Sequence, residues 1–221
     1  MAGRNSEDKG LLQQALDHLA DADLHMAEAI EEIGPPPPRY RSADFETLMH
    51  VIIAQQVSVA SAKAISGRLN ERLALQDSRG VTPERFIALT DDDLRAVGFS
   101  RQKMVYGRDL AAAFTDGRVS LPKLRRMDDE AAIAALCSVK GIGRWSAEVF
   151  LLFSLKRPDV MPAQDLALMV AAQRLKGLRS RPDPKKLLKI AEPWRPFRSY
   201  GARMLWHYYR NGKGGIGGQP L

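Results

Sequence analysis

The sequence predicts an all-α protein, and three observations carry that expectation. Apolar residues recur at helical spacing along most of the chain. Capping residues stand just before those runs. No two alternating runs joined by turn residues read as a strand pair, and no internal repeat is visible. Leu11, Leu12, Ala15, Leu16 and Leu19 mark a first helix, and residues 23–33 a second. Gly34 and the prolines 35–38 then break the pattern and favour an extended linker. Asp44 can cap a helix carrying Phe45, Leu48, Val51 and Ile52, and Ser58 one that runs to about Leu75. Thr82-Pro83-Glu84 and Thr90 before Asp91, Asp92 and Asp93 each place a capping oxygen ahead of first-turn acids. Ser100 opens a long helix through Tyr106 and Leu110 to Phe114, and Asp128 one that ends near Cys137. Further helices are expected over 145–155, 165–175, 185–191 and 196–209, and a disordered tail over 212–221.

Composition narrows the function classes. The 221 residues suffice for one good-sized domain or two small ones sharing an interface. The longest stretch without formal charge, Thr47 to Ala62, has 16 residues against the roughly 20 apolar ones that span a bilayer. The N-terminal MAGRNSEDKG has no signal-peptide core, so a cytoplasmic protein without a membrane partner is expected. A single cysteine, Cys137, excludes an internal disulfide, a cysteine-based zinc site and a four-cysteine iron–sulfur cluster. The four histidines at 18, 25, 50 and 207 form no HExxH pair.

Charge is unevenly spread. Residues 1–139 hold 17 Lys and Arg against 21 Asp and Glu, a net of −4, whereas residues 140–221 hold 16 against 5, a net of +11. Such asymmetry points to a polyanion on one face, or to a solvated basic surface. The basic half begins at "KGIGRWSAEVFLLFSL", residues 140–155. Its Gly-x-Gly is no dinucleotide fingerprint, because Ser146 stands at the third glycine position and no strand precedes it. Nor is it a P-loop. What remains is helix, glycine turn, helix, anchored by Leu136, Val139 and Ile142. The amides of Gly141 and Gly143 sit at a helix start, where free N–H groups and the helix dipole suit an anion. A plain helix-to-helix turn fits the same residues.

"LCSVKGIGRWSA" resembles the helix-hairpin-helix of the HhH-GPD superfamily of DNA glycosylases. "FETLMHVIIAQQVSVASAKAI", "VGFSRQKMVYGRDLA" and "EPWRPFRSYGARMLWHYY" are similar, in the same order, to segments of its 3-methyladenine DNA glycosylase II branch, so the likeness runs from about Phe45 to Tyr208. It implies two helical lobes: a central one over 45–160 with the helix-hairpin-helix at about 133–155, and a second from 1–44 plus 161–221, with the active-site cleft between them. It implies the compact form of the enzyme, without an extra N-terminal β domain. Duplex DNA carrying damaged bases is the implied partner, bound by a monomer in the nucleoid or nucleus.

The resemblance also assigns roles. Amides at Gly141 and Gly143 hold a DNA phosphate, a contact that positions without reading sequence. Backbone carbonyls of Cys137, Val139 and Ile142 hold a monovalent cation, and no cofactor is needed for catalysis. Gln56 enters the minor groove as the wedge that fills the gap left by a flipped base; it also reads as part of a helix cap. Trp145 and Trp206 wall the base pocket, with His207 at its edge, where some relatives carry tyrosine; both tryptophans also read as core. The Gly/Pro-rich turn with its aspartate is "DVMPAQDLALMV", which makes Asp165 the catalytic carboxylate. Eight residues, 157–164, reach at most about 29 Å, enough to double back along the preceding helix of about 18 Å. Asp165 reads equally as an N-cap, where the helix dipole favours negative charge. The family's lyase branch carries a lysine where this chain has Trp145, which implies hydrolysis without strand cleavage. A helix-hairpin-helix module that binds DNA or abasic sites without catalysis is the alternative, and it needs neither Asp165 nor the tryptophans.

Overall fold

The computed structural model describes residues 2–75 and 80–213, with side chains from residue 9 onward. Among the described residues it is all helical: thirteen α-helices, one 3₁₀ turn and no strand. They fall into two compact units.

The first unit comprises residues 2–40 and 156–213. It contains α1 (Ala2–Ala22), α2 (Leu24–Ile33), α11 (Leu166–Leu175), α12 (Pro184–Ile190), the 3₁₀ turn Glu192–Trp194 and α13 (Arg198–Asn211). α13 packs on α2 and α11, and α1 on α2. Trp194 is fully buried, and Gly201 lets α13 approach it: a Cβ there would stand 2.6 Å from the indole. The same indole donates from Nε1 to Asp23, 2.8 Å away. Asp23 also caps α2, accepting from the amides of His25 and Met26, and receives the ammonium of Lys176. Burial pushes the Asp23 carboxyl up, but the bonds from Lys176 and Trp194 outweigh it and hold the group below its ordinary range.

The proline run is held down at its end. Arg203 donates to the Pro37 carbonyl and to the Tyr40 hydroxyl, and its guanidinium lies over the rings of Tyr40 and Tyr200. Lys156 covers the Tyr40 ring at 4.3 Å.

The second unit is Arg41–Leu155. It contains α3 (Phe45–Ala54), α4 (Val59–Ala74), α5 (Pro83–Ala88), α6 (Asp91–Val97), α7 (Arg101–Thr115), α8 (Leu121–Arg126), α9 (Asp129–Cys137) and α10 (Arg144–Phe153). α7 packs on α3 and α5, α4 on α3 and α6, and α9 on α10. Phe45, Phe86, Phe99 and Phe114 meet edge to face or tilted, with Phe45 and Phe114 5.4 Å apart. The caps expected at Asp44, Ser58, Thr82, Thr90, Ser100 and Asp128 each accept a backbone N–H of the helix they start. Thr90 and Asp93 complete a capping box.

Helix boundaries differ from expectation in places. α10 runs from Arg144 to Phe153 rather than over 145–155, because Gly143 takes the cap position. α8 has no counterpart among the helices expected from the sequence: its six residues are too few to show a period, and Ser120 forms no side-chain cap bond. The tail expected over 212–221 lies, from 214 onward, outside the described residues.

Asp23 joins α2, Lys176 and the Trp194 turn. Asp23→Ala leaves a half-buried ammonium and a buried indole N–H without this acceptor, and should cost about 3 kcal/mol. Thermal melting should show a Tm lowered by roughly 10 °C.

Candidate nucleic-acid interface

The second unit presents the glycine hairpin. Leu136, Val139 and Ile142 are buried and anchor it from below. Gly141 has φ +87°, a conformation that favours glycine. It lies on the ring of Tyr106, where a Cβ would come within 2.3 Å. Gly143 differs: its φ is −88°, and a Cβ there meets nothing within 4 Å. Its bareness serves the space outside the protein.

α10 starts at Gly143 without a side-chain cap, as α8 and α13 do, although nine other helices among the described residues have one. Its first amides and the positive end of its dipole are therefore left for an external anion.

Helix α7 supports the hairpin from one face. The Asp109 carboxylate accepts the Lys140 amide at 2.8 Å while it pairs with Arg118. Tyr106 sits under Gly141, and Gln102 donates to the Tyr106 hydroxyl at 2.6 Å. Lys103 is buried and donates to the Ile53 carbonyl near the end of α3, 2.6 Å away; burial pulls its ammonium down. From the C-cap of α3, Gln55 donates to the Gly141 carbonyl at 2.6 Å. Gln56 follows with φ +55° and is exposed. Gln55, Gln102, Lys103 and Tyr106 line a groove of about 670 Å³ with Gln56, Val57, Cys137 and 139–143 on its walls. The expected wedge and phosphate-binding glycines thus share one groove. Sequence reasoning missed the supports Gln55, Lys103, Tyr106 and Asp109; only their spacing along one face of α7 hinted at the last three.

Cys137 is exposed and ends α9; partial burial of its thiol raises it above the usual range. The Val139 carbonyl accepts the Ile142 amide at 3.1 Å. Trp145, in the first turn of α10, is about a third exposed. Its neighbour Arg144 forms a fork with Glu130, 2.6 and 2.9 Å, and donates from Nε to Glu148 at 2.9 Å. Glu148 is buried and its second oxygen has no hydrogen-bond partner. Burial outweighs the single bond from Arg144 and pushes the carboxyl up to about 7. Arg144 is held more firmly charged, chiefly by Glu130.

The other expected residues belong to the first unit. Asp165 is buried at the N-cap of α11 and accepts the Leu168 amide at 3.0 Å. A turn places it there: the Asp165 amide donates to the Pro162 carbonyl, and Ala163 to Met161. Asp159, further up the same loop, is gripped by Arg198 and Arg195. The Ser199 hydroxyl donates to the Arg157 carbonyl and accepts the Val160 amide. The Arg198-Ser199 pair therefore fixes the loop that leads to Asp165. Trp206 and His207 lie half-buried on α13, which packs on α11. His207 donates from Nε2 to the Ile33 carbonyl at 3.1 Å, and its Nδ1 faces the Asn211 amide at 3.0 Å.

The two glycines should respond differently to an added methyl group. Gly141→Ala meets both the left-handed backbone and Tyr106, and should lower stability by at least about 2 kcal/mol in denaturant unfolding. Gly143→Ala should leave stability within about 0.5 kcal/mol and weaken duplex binding at least about fivefold in a titration. Glu148 carries a pH dependence. A carboxyl raised in the folded state keeps its proton there longer than in the unfolded chain. Glu148 should therefore reduce stability as pH climbs from about 4.5 to about 7. Melting of Glu148→Gln against wild type should show near parity at pH 5 and a gain of about 2 kcal/mol at pH 8.

Residues 49–196 match the model of the HhH-GPD superfamily base excision DNA repair proteins. The chain is 31% identical to DNA-3-methyladenine glycosylase 1 of Schizosaccharomyces pombe over 199 residues, 88% of this chain and 86% of that one. It is equally 31% identical, over 88% of its length, to a putative DNA-3-methyladenine glycosylase of Bacillus subtilis, of which it covers 68%. Among solved structures, the S. pombe 3-methyladenine DNA glycosylase in complex with abasic DNA superposes with a TM-score of 0.77 at 30% identity, covering 89% of this chain and 96% of that one. No helix among the described residues is long and apolar enough to cross a membrane. An all-helical fold, a glycine hairpin ahead of an uncapped helix and a match over residues 49–196 agree: the chain belongs to the HhH-GPD superfamily of base excision DNA repair proteins.

Proposed function

We propose that this protein is a monofunctional DNA glycosylase that flips out alkylated purines of the 3-methyladenine type and hydrolyses them from duplex DNA, leaving an abasic site. The observation that carries the reading is the uncapped start of α10 behind Gly141 and Gly143, in a chain whose relatives are 3-methyladenine DNA glycosylases. The amides there hold a backbone phosphate. Gln56, on its exposed loop beside the hairpin, fills the stack when the target nucleotide leaves it. Trp145 and Trp206 face the extruded base. A cationic alkylpurine gains more from an indole than a neutral purine does, which favours damaged over normal bases. His207 contributes a ring edge, since its nitrogens already serve Ile33 and Asn211.

The bond between the sugar C1′ and the base nitrogen breaks, and its electron pair leaves with the base. An alkylated purine that is already cationic departs neutral, so no strong general acid is required. Positive charge develops on the sugar, and the Asp165 carboxylate stabilises it. Water, oriented by Asp165, adds its oxygen to C1′ and gives up a proton to the Asp165 carboxylate. Trp145 is no amine nucleophile, so no covalent imine forms and the strand stays intact. The Cys137, Val139 and Ile142 carbonyls suit a monovalent cation: they are hard oxygens, and Cys137 ends α9 where terminal carbonyls and the dipole favour positive charge. Such an ion would add positive charge beside the phosphate.

Duplex DNA treated with a methylating agent tests the reading. Wild type should release free 3-methyladenine and nick the strand only after alkali. Asp165→Asn should lose at least about 100-fold in single-turnover rate while still binding the duplex. Binding without release by wild type would bring the non-catalytic module to the front, and a nick before alkali would overturn the hydrolytic assignment.

A further inference from the structure

We propose that α12 and the loop before it form a second seat for duplex DNA, separate from the glycine hairpin, in which Arg179, Arg181, Lys185, Lys186 and Lys189 bind backbone phosphates. The inference rests on the DNA-directed function proposed above and extends it.

Three observations carry it. All five side chains belong to exposed residues, and none forms an ion pair among the described residues. Arg72, Arg95, Arg108, Arg118, Arg144, Arg195 and Arg198, by contrast, each meet a carboxylate. Secondly, Asp183 is the one acid between Arg174 and Ala191, and its carboxylate is engaged as the N-cap of α12, accepting the Lys186 amide at 2.7 Å. Thirdly, the first turn of α12 works against the helix's own electrostatics, although Asp183 at its cap and Lys189 in its last turn suit the dipole. Lys185 and Lys186 occupy its first turn, at the positive end of the helix dipole. Lys185 and Lys189 stand four residues apart on one face, a like-charge pair that weakens a helix by a few tenths of a kcal/mol. A sequence that breaks local rules without an internal gain marks a place where an external group supplies the gain. A row of phosphates relieves both conflicts, and duplex DNA offers such a row along each strand.

The test is the salt dependence of binding to an undamaged duplex of about 25 base pairs, from about 50 to 200 mM salt. In Lys185→Gln/Lys186→Gln/Lys189→Gln the slope of log K against log salt should become shallower by about 2–3, close to 0.9 for each phosphate no longer neutralised. The control Lys63→Gln/Lys123→Gln/Arg126→Gln removes the same charge from exposed positions of the other unit, and its slope should stay within about 0.5 of wild type. Without its internal repulsion the α12 variant should melt no lower than wild type, with an expected rise of about 1–2 °C. An unchanged slope overturns the proposal. So does an equal change in the control, which would reduce it to net charge, or a change seen with RNA and not with duplex DNA. Failure of wild type to release alkylated bases would sink the proposed activity instead, and leaves this measurement interpretable because its duplex carries no lesion.

Discussion

The contact between Gly141 and the ring of Tyr106 governs the hairpin. With no side chain at 141, the turn can adopt φ +87° and settle on the ring. That settling carries Gly143 to the start of α10 and leaves its amides uncapped. The same helix that supplies Tyr106 supplies Lys103, which reaches the end of α3, and Asp109, which takes the Lys140 amide. Gln55 closes the ring of contacts by donating to Gly141 itself. One face of α7 therefore sets the height of the hairpin and the exit of α3 together. The loop bearing Gln56 and the glycine turn are thereby tied to one support, which suits the proposed site that holds a backbone while displacing a base.

Two buried carboxylates show how the fold treats negative charge. Asp23 and Glu148 are similarly buried. Asp23 receives an ammonium, an indole N–H and two amides, and its charge is favoured. Glu148 receives one bond from an arginine already committed to Glu130, and its charge is disfavoured. The difference lies in the number of donors, not in depth. Asp23 acts as a structural rivet of the first unit. Glu148, one turn beyond Arg144 on the hairpin helix, is a group whose charge changes near neutral pH beside the proposed DNA contact.

Much of this was legible in the sequence because it depends on residues near one another in the chain. Caps at Asp44, Ser58, Thr82, Thr90, Ser100 and Asp128 are local hydrogen bonds, and they stand where the sequence places them. The Gly-Ile-Gly turn and the Pro162–Asp165 turn are likewise local. α8 was not legible, since six residues show no period and its cap forms no bond. Tyr106, Lys103 and Gln55 were not legible as hairpin supports either. Their partners lie 35, 50 and 86 residues away, and nothing in a single chain marks which tyrosine will lie under which glycine. Arg198 and Ser199 are structural, and what they hold is the loop that delivers Asp165.

The charge asymmetry of the chain takes its meaning from pairing rather than from the count. In the acidic half, carboxylates are consumed as helix caps and as partners of arginines: Asp93 with Arg72, Asp91 with Arg108, Asp109 and Asp116 with Arg118. Its net negative charge is thus largely internal wiring. Beyond residue 139 only five acids remain. Asp165 and Asp183 cap helices, Asp159 and Glu192 grip Arg195, with Asp159 also holding Arg198, and Glu148 is buried. None is left to neutralise the exposed cations of α12 and the loop before it. A surface that cannot satisfy itself must be satisfied by its ligand or by salt. Sequence-blind phosphate contacts of the kind proposed for α12 would hold a DNA repair protein on a long polyanion without reading its sequence.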